Sequence, residues 1–371
     1  MGDLSRSICD YVALATPGVR GLHPYQPGKP TAELERELGV SNIVKLASNE
    51  NPLGPSAIAV AAIKQELDSF TRYPDGNGFV LKQALSEHLE VPMSALTLGN
   101  GSNDILDIIA RAYAEPGAEV IYSQYAFAVY ALSTQAVNAT AVVTPAKEWG
   151  HDLDAMLAAI SDNTTLIFIA NPNNPTGTLL SEAALRHFLD HVPERVVVVL
   201  DEAYFEYLDE HNRPDGMRLL NDYANLIVTR TFSKAWGLAG LRVGYAVSSD
   251  EIADILNRVR HPFNVNSAAM AAAAAVLSDT DYLNKGRALN SQGLRQLETG
   301  LEALGFSYIP SVGNFICFDT GAEGIKLYDA LLHKGVIVRP VANYGMPQHL
   351  RVSIGLPEEN QRFLDALAQP L

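Results

Sequence analysis

Short apolar runs alternate with amphipathic stretches along most of the 371-residue chain. Aliphatic and β-branched runs recur at 44–47, 95–98, 119–122, 140–143, 165–170, 195–200, 226–230 and 242–247. Several lack a clean period of two, the pattern of strands covered on both faces of a sheet. Helical patterns lie between them, for example over 78–89, 103–114, 127–135 and 181–191. This alternation predicts an α/β unit with a mainly parallel central sheet.

The texture changes after Val247. An alanine-rich stretch at 267–277 precedes a long amphipathic pattern over 282–304 that no proline interrupts. Short strands at 306–309, 314–318, 336–339 and 350–354 then alternate with helices over 325–334 and 358–367, which predicts a smaller α+β unit. Ahead of both, residues 1–42 are rich in proline and glycine and end in a short helix over 31–38. Such an arm has to lie on something, either the small domain or a partner subunit. The expected division is therefore an arm at 1–42, a large domain at 43–260 and a small domain at 261–371.

Bulk properties narrow the function classes. A hydrophobic fraction of 47% with 19% charged residues is that of a folded globular chain rather than a disordered one. A formal net charge of -15 argues against nucleic-acid and anionic-membrane partners, so positive charge for an anionic ligand has to be local. Two cysteines, Cys9 and Cys317, are too few for a disulfide framework or a cysteine-based metal site, which points to a reducing, cytoplasmic compartment and no metal. The N-terminus is a poor signal peptide, and no run approaches the ~20 apolar residues of a membrane span.

Candidate chemistry begins with LIVTRTFSKAWGLAGLRVGY, residues 226–245. An apolar strand delivers Lys234 among small and apolar neighbours, and desolvation there lowers an amine's pKa and makes it a nucleophile towards carbonyls. Thr231, Ser233 and Arg242 supply two hydroxyls and a guanidinium, a combination suited to a phosphate dianion. A lysine for an aldehyde beside a cup for a phosphate points to pyridoxal 5′-phosphate. A lysine after a serine is more often solvated surface, so the other strand ends carry the weight. After 95–98 comes GNGSNDIL, a glycine-rich turn whose helix start at Ser102 and Asn103 would offer backbone N–H groups to an anion. After 165–170 comes NPNNPTG, a rigid turn that could present the amide of Asn174. After 196–200 comes DEAYFEY. An Asp at that place is most often a helix N-cap, but Asp201 could also face a pyridine nitrogen, with Tyr204 donating to a ring oxygen.

Taken in this order, the phosphate turn, NPNNPTG, D-x-x-Y, S-K and the later arginine resemble the fold type I pyridoxal-phosphate aminotransferases, and among them the histidinol-phosphate aminotransferase branch. The likeness runs from about Leu22 to the C-terminus. It implies that Lys234 binds the cofactor and then shuttles the proton, that Asp201 pairs with the pyridine nitrogen, and that Tyr204 and Asn174 reach the ring oxygen. It assigns the phosphate to Ser102, Asn103, Thr231, Ser233 and Arg242, and ring stacking to Phe127, where the family often has tyrosine. In FTRYPDGNG, Tyr73 would reach the neighbouring subunit's cofactor phosphate, making the enzyme a homodimer with shared active sites. Arg351 would bind the amino acid's carboxylate, Arg339 and Arg351 could both serve a substrate phosphate, and Tyr25 of the arm would fold over the substrate.

The resemblance thus implies a transfer from glutamate to imidazole acetol-phosphate, giving histidinol phosphate and 2-oxoglutarate in histidine biosynthesis. The rivals are an aromatic amino-acid aminotransferase with the same machinery, a decarboxylase of a phosphorylated amino acid, and a non-catalytic cofactor-binding sensor.

Overall fold

Seven strands build the larger sheet: β1 (Leu96–Gly99), β2 (Glu119–Ser123), β3 (Thr140–Thr144), β4 (Thr164–Ala170), β5 (Val197–Asp201), β6 (Leu226–Thr231) and β7 (Gly244–Val247). They belong to a computed structural model that describes residues 9–24, 28–210 and 213–369. Their order in space is β1-β7-β6-β5-β4-β2-β3. All run parallel except β7, which is antiparallel to both β6 and β1.

The continuous apolar runs have a direct cause in this arrangement. Val198 and Leu200 of β5 pack in the core on one face of the sheet, whereas Val197 and Val199 pack in the core on the other. β4 divides in the same way, with Ile167 and Ile169 on one side and Leu166 and Phe168 on the other. A strand buried on both faces gains from an apolar residue at every position, which erases the period of two.

The C-terminal sheet is antiparallel and contains β8 (Tyr308–Ile309), β9 (Phe315–Asp319), β10 (Arg339–Pro340) and β11 (His349–Ser353), in the order β8-β9-β11-β10. Its two faces differ: one packs on helices of the same unit, while Ile309 and Cys317 on the other join a smaller apolar cluster with Tyr125 and Ala128. Leu350 and Val352 join Ile316, Phe318 and Phe363 in a core covered by the helices Thr280–Ala303 and Pro357–Ala368. The alternate residues His349, Arg351 and Ser353 consequently point the other way, towards the large sheet.

Packing crosses the expected boundaries at residues 43 and 261. The run expected as the first strand of the large domain is a two-residue strand, Val44–Lys45, paired in parallel with Val336–Ile337. Leu46 and Ala47 continue into apolar clusters of the C-terminal unit. The expected strand at 336–339 is split for the same reason: Val336–Ile337 serves Val44–Lys45, while Arg339–Pro340 serves β11. In the opposite direction, the helix Ser267–Val276 packs with the large sheet, burying Ala269, Met270, Ala273 and Val276 beside Leu81, Leu96 and Val247. The arm helix Thr31–Leu38 ends on Gly39 in the left-handed conformation (φ 65°), a usual helix stop, and buries Leu34 against Ala47, Leu332 and Ile337.

Candidate active site

β1, β2, β4, β5 and β6 all finish at one edge of the sheet, and β7, running the other way, begins there. Loops leaving parallel strands at such an edge are where α/β folds bind ligands. A cleft at this edge is lined by Asp201, Lys234, Tyr204 and Phe127 around its centre, with Ser102, Asn103, Thr231, Ser233 and Arg242 at one end. Asn174, Arg339 and Arg351 line it as well.

Lys234 follows β6 and donates from Nζ to the carbonyl of Ser48 at 3.0 Å. Burial pushes its amine down to about 7, and the neighbouring Arg351 and Arg242 guanidinium groups push in the same direction. An amine that loses its proton near neutrality is a competent nucleophile for an aldehyde. Asp201, the last residue of β5, is buried and accepts hydrogen bonds from the Tyr130 hydroxyl and from Thr229 Oγ1, both at 2.9 Å. Burial raises its carboxyl, and these two donors partly offset that. Among the described residues it forms no ion pair, so a cationic ring N–H would be its natural counter-charge.

At the far end of the cleft the helix Ser102–Tyr113 begins after Gly101 (φ 81°). A Cβ at Gly101 would lie 2.5 Å from Arg242 Nη2, and one at Gly244 would lie 2.6 Å from the Ser102 nitrogen. The two glycines thus let a guanidinium approach the positive end of a helix. Arg242 is itself held in the left-handed region (φ 59°), with Nη1 donating to Ser233 Oγ at 3.3 Å and to the Ala239 carbonyl at 3.1 Å. A helix N-terminus, two hydroxyl-bearing residues and a guanidinium facing one another form an anion site.

The NPNNPTG turn divides its asparagines between two tasks, and both of its Asn-Pro bonds are cis. Asn171 accepts from the Leu180 N–H at 2.7 Å, and Asn173 donates to Thr176 Oγ1 at 2.8 Å, so these two hold the turn. Asn174 faces the cleft, where its Oδ1 accepts from Arg351 Nη1. Arg351 also donates from Nη2 to the Ala47 carbonyl at 2.9 Å, while its buried Nε has no hydrogen-bond partner among the described residues. Across the β10–β11 ladder Arg339 stands directly opposite Arg351. Like charges in that register repel, and an anion between them relieves the repulsion.

Tyr204 packs edge-on against Phe315, with ring centroids 5.1 Å apart, and its hydroxyl accepts from Asn49 Nδ2 at 2.9 Å. Burial pushes the phenol up to about 12, so it stays a proton donor. Phe127 is half-buried at the start of the helix Ala128–Ala136 and leans edge-on against Tyr130 at 5.9 Å.

One expected site residue does not line this cleft. Tyr73 is 83% exposed and stacks on Phe263 with centroids 4.9 Å apart. Tyr25 lies outside the described residues. Conversely, Asn49 went unnoticed in the sequence. It sits just past a run taken as a strand, has φ 54°, and joins Tyr204 to Ser353, whose Oγ accepts from the Asn49 N–H at 2.8 Å. The cluster Ser48-Asn49-Glu50-Asn51-Pro52 was its signal, since asparagine tolerates the left-handed region. Tyr130 was also missed, although it stands one helical turn beyond Phe127.

Comparison with known proteins gives this geometry a family. The family model of aminotransferases of class I and II matches residues 41–367. The chain is 61% identical over 364 residues to histidinol-phosphate aminotransferase 2 of Pseudomonas fluorescens (strain Pf0-1), covering 98% of each chain. It is 56% identical over 354 residues to histidinol-phosphate aminotransferase 1 of Idiomarina loihiensis, covering 95% of this chain and 96% of that one. Among solved structures, the histidinol-phosphate aminotransferase from Sinorhizobium meliloti in complex with pyridoxal-5′-phosphate is similar with a TM-score of 0.87 at 30% identity, covering 95% of this chain and 96% of that chain. The chain belongs to the aminotransferase class I and II family.

The lowered amine generates a prediction. In cofactor-free protein, the rate at which pyridoxal phosphate condenses with Lys234 should rise with pH and level off above about 7, because the reactive neutral amine is the form favoured above its pKa. The visible absorbance of the bound cofactor reports the rate, and Lys234→Ala should show none. A rate still climbing towards the ordinary lysine value of 10.5 would contradict the desolvated amine.

Proposed function

We propose that this member of the family is a pyridoxal-phosphate-dependent histidinol-phosphate aminotransferase. Glutamate delivers its amino group and leaves as 2-oxoglutarate, and imidazole acetol-phosphate takes the group up to become histidinol phosphate. The observation that carries the assignment is the pairing of Arg339 with Arg351 over a cleft floored by a desolvated lysine. Both substrates are anions, and the acidic chain concentrates positive charge where they would sit. The names of the similar proteins reported above agree.

The residues fit pyridoxal phosphate on three counts. The amine of Lys234 is lowered, the carboxyl of Asp201 lines the cleft with neutral partners only, and the close approach of Arg242 to Gly101 leaves a cradle that a Cβ would fill. When bound, the cofactor supplies an aldehyde that condenses with amines and a ring that accepts electron density from a substrate's α carbon. Ser102, Asn103, Thr231, Ser233 and Arg242 would hold its phosphate, and Phe127 would cover its ring. Asp201 would keep the ring nitrogen protonated. Tyr204, accepting from Asn49, has its own proton left to donate to the ring oxygen. Asn174, accepting from Arg351 through Oδ1, has its Nδ2 left for the same oxygen.

The chain's own catalytic work falls to Lys234. With an amine near 7, Nζ can take a proton from the substrate's α carbon and return it elsewhere without a large penalty in either direction. Arg351 orients the substrate through its carboxylate, and its Nε, without a partner among the described residues, is a donor suited to that acceptor. Arg339 and Arg351 together can take the phosphate of histidinol phosphate.

A second copy of the chain completes the reading. Tyr73 is exposed beside Phe263, away from the cleft of its own chain, and Phe70, Phe79 and Val80 are each more than half exposed nearby in sequence. A homodimer would cover these apolar groups and bring Tyr73 to the partner's phosphate site. The setting is cytoplasmic, in keeping with a chain of only two cysteines.

Two measurements test these statements. In single-turnover spectra of the cofactor-loaded enzyme, histidinol phosphate and glutamate should each convert the bound cofactor, with phenylalanine far slower than histidinol phosphate. Faster conversion by phenylalanine would instead make the enzyme an aromatic aminotransferase. For the dimer, mixing inactive Lys234→Ala with Tyr73→Ala subunits should give activity above that of either parent, because a hybrid contains one site with both native residues. A mixture no more active than its parents would remove Tyr73 from the shared site.

A further inference from the structure

β11 reaches the large unit through alternate residues. Ser353 binds Asn49, which binds Tyr204, and Arg351 binds Asn174. The third residue on that face, His349, meets Trp149, whose ring centroid lies 5.0 Å away. No role for Trp149 follows from cofactor chemistry, yet its surroundings are constructed with care.

Trp149 sits at the tip of a hairpin in which Ala146–Lys147 pairs with Gly150–His151. Both turn residues, Glu148 (φ 50°) and Trp149 (φ 66°), are left-handed. Two-residue turns of this kind favour asparagine and glycine, and a bulky residue persists there only when its surroundings over-determine it. Here the surroundings do so on two sides. The indole packs against Tyr125, with centroids 5.1 Å apart, as well as against His349. Below the tip, buried His151 donates from Nε2 to the carbonyl of Ala170 at 2.9 Å, and Ala170 is part of the cleft lining. Burial lowers His349, which favours the uncharged ring beside the indole. The hairpin is thus anchored to the cleft floor while its tip rests on the strand that carries Arg351, two residues from the contact.

We propose that Trp149 is a positioning residue for substrate binding: through His349 it fixes where β11 lies against the large unit, and thereby where Arg351 presents its guanidinium. Ser353 and Arg351 fix the inner part of the strand by hydrogen bonds, and the indole fixes its outer end by packing. A small misplacement of an orienting group is expensive, because a bidentate contact to a carboxylate depends on both distance and plane. The inference rests on the assignment of Arg351 to the substrate carboxylate.

The test uses the holoenzyme with glutamate, following conversion of the bound cofactor at increasing glutamate for wild type, Trp149→Ala, Trp149→Phe and Arg351→Lys. Trp149→Ala should raise the half-saturating glutamate concentration about tenfold while the maximal rate, the initial cofactor absorbance and the melting temperature stay close to wild type. Trp149→Phe keeps an aromatic face and should behave almost as wild type, whereas Arg351→Lys should share the raised half-saturation. If Arg351→Lys alone raises it, Trp149 does not position Arg351, although the carboxylate assignment stands. If Arg351→Lys leaves it unchanged, the carboxylate assignment fails and the proposal fails with it. Loss of cofactor absorbance or of melting temperature in both Trp149 variants would mark the hairpin as structural support only and overturn the proposal.

Discussion

Four charged side chains of the cleft are held by neutral groups rather than by one another. Asp201 is held by two hydroxyls, Lys234 by a backbone carbonyl, Arg242 by a serine hydroxyl and a carbonyl, and Arg351 by an amide and a carbonyl. Neutral partners orient a charge without cancelling it, which leaves the field for a ligand to complete. Buried ion pairs do occur elsewhere, as between Arg230 and Glu202 at 2.7 Å, so the pattern in the cleft is not a general habit of the chain. It leaves the cleft suited to a charged ligand that completes the field.

The fold supplies this arrangement through strand direction. Because β7 is antiparallel, Arg242 enters the sheet at the edge where β1 ends, and Gly101 and Gly244 let the two segments approach. Because the residues of β11 alternate between the two faces of the C-terminal sheet, His349, Arg351 and Ser353 meet the large unit while Leu350 and Val352 pack in the core. Asn49 ties the halves together between Tyr204 and Ser353.

Much of this was legible in the sequence. Residues at strand ends, such as Asp201 and Lys234, were recognisable because a long apolar run stops abruptly at a polar group. The order of the glycine turn, NPNNPTG, D-x-x-Y and S-K added what each motif lacked alone. Less legible was whatever depended on pairing between distant segments. Nothing local in Val44–Lys45 says that it joins Val336–Ile337 rather than the large sheet, and its two residues are too few to show a period. Asn49, Tyr130 and Trp149 escaped for a related reason. Each acts through a neighbour's side chain, and its own sequence context reads equally well as a turn, a helix face or a hairpin tip.

The central claim is that the cleft carries positive charge left for an anion to complete, and its simplest probe is the melting temperature of cofactor-free protein over a series of inorganic phosphate concentrations at constant ionic strength. Ligands that bind only the folded state raise it by mass action. The expected result is a rise with phosphate in the wild type and little or none in Arg242→Gln, with the unliganded variant melting no lower than the wild type. A wild-type melting temperature indifferent to phosphate, or an equal rise in Arg242→Gln, would contradict it.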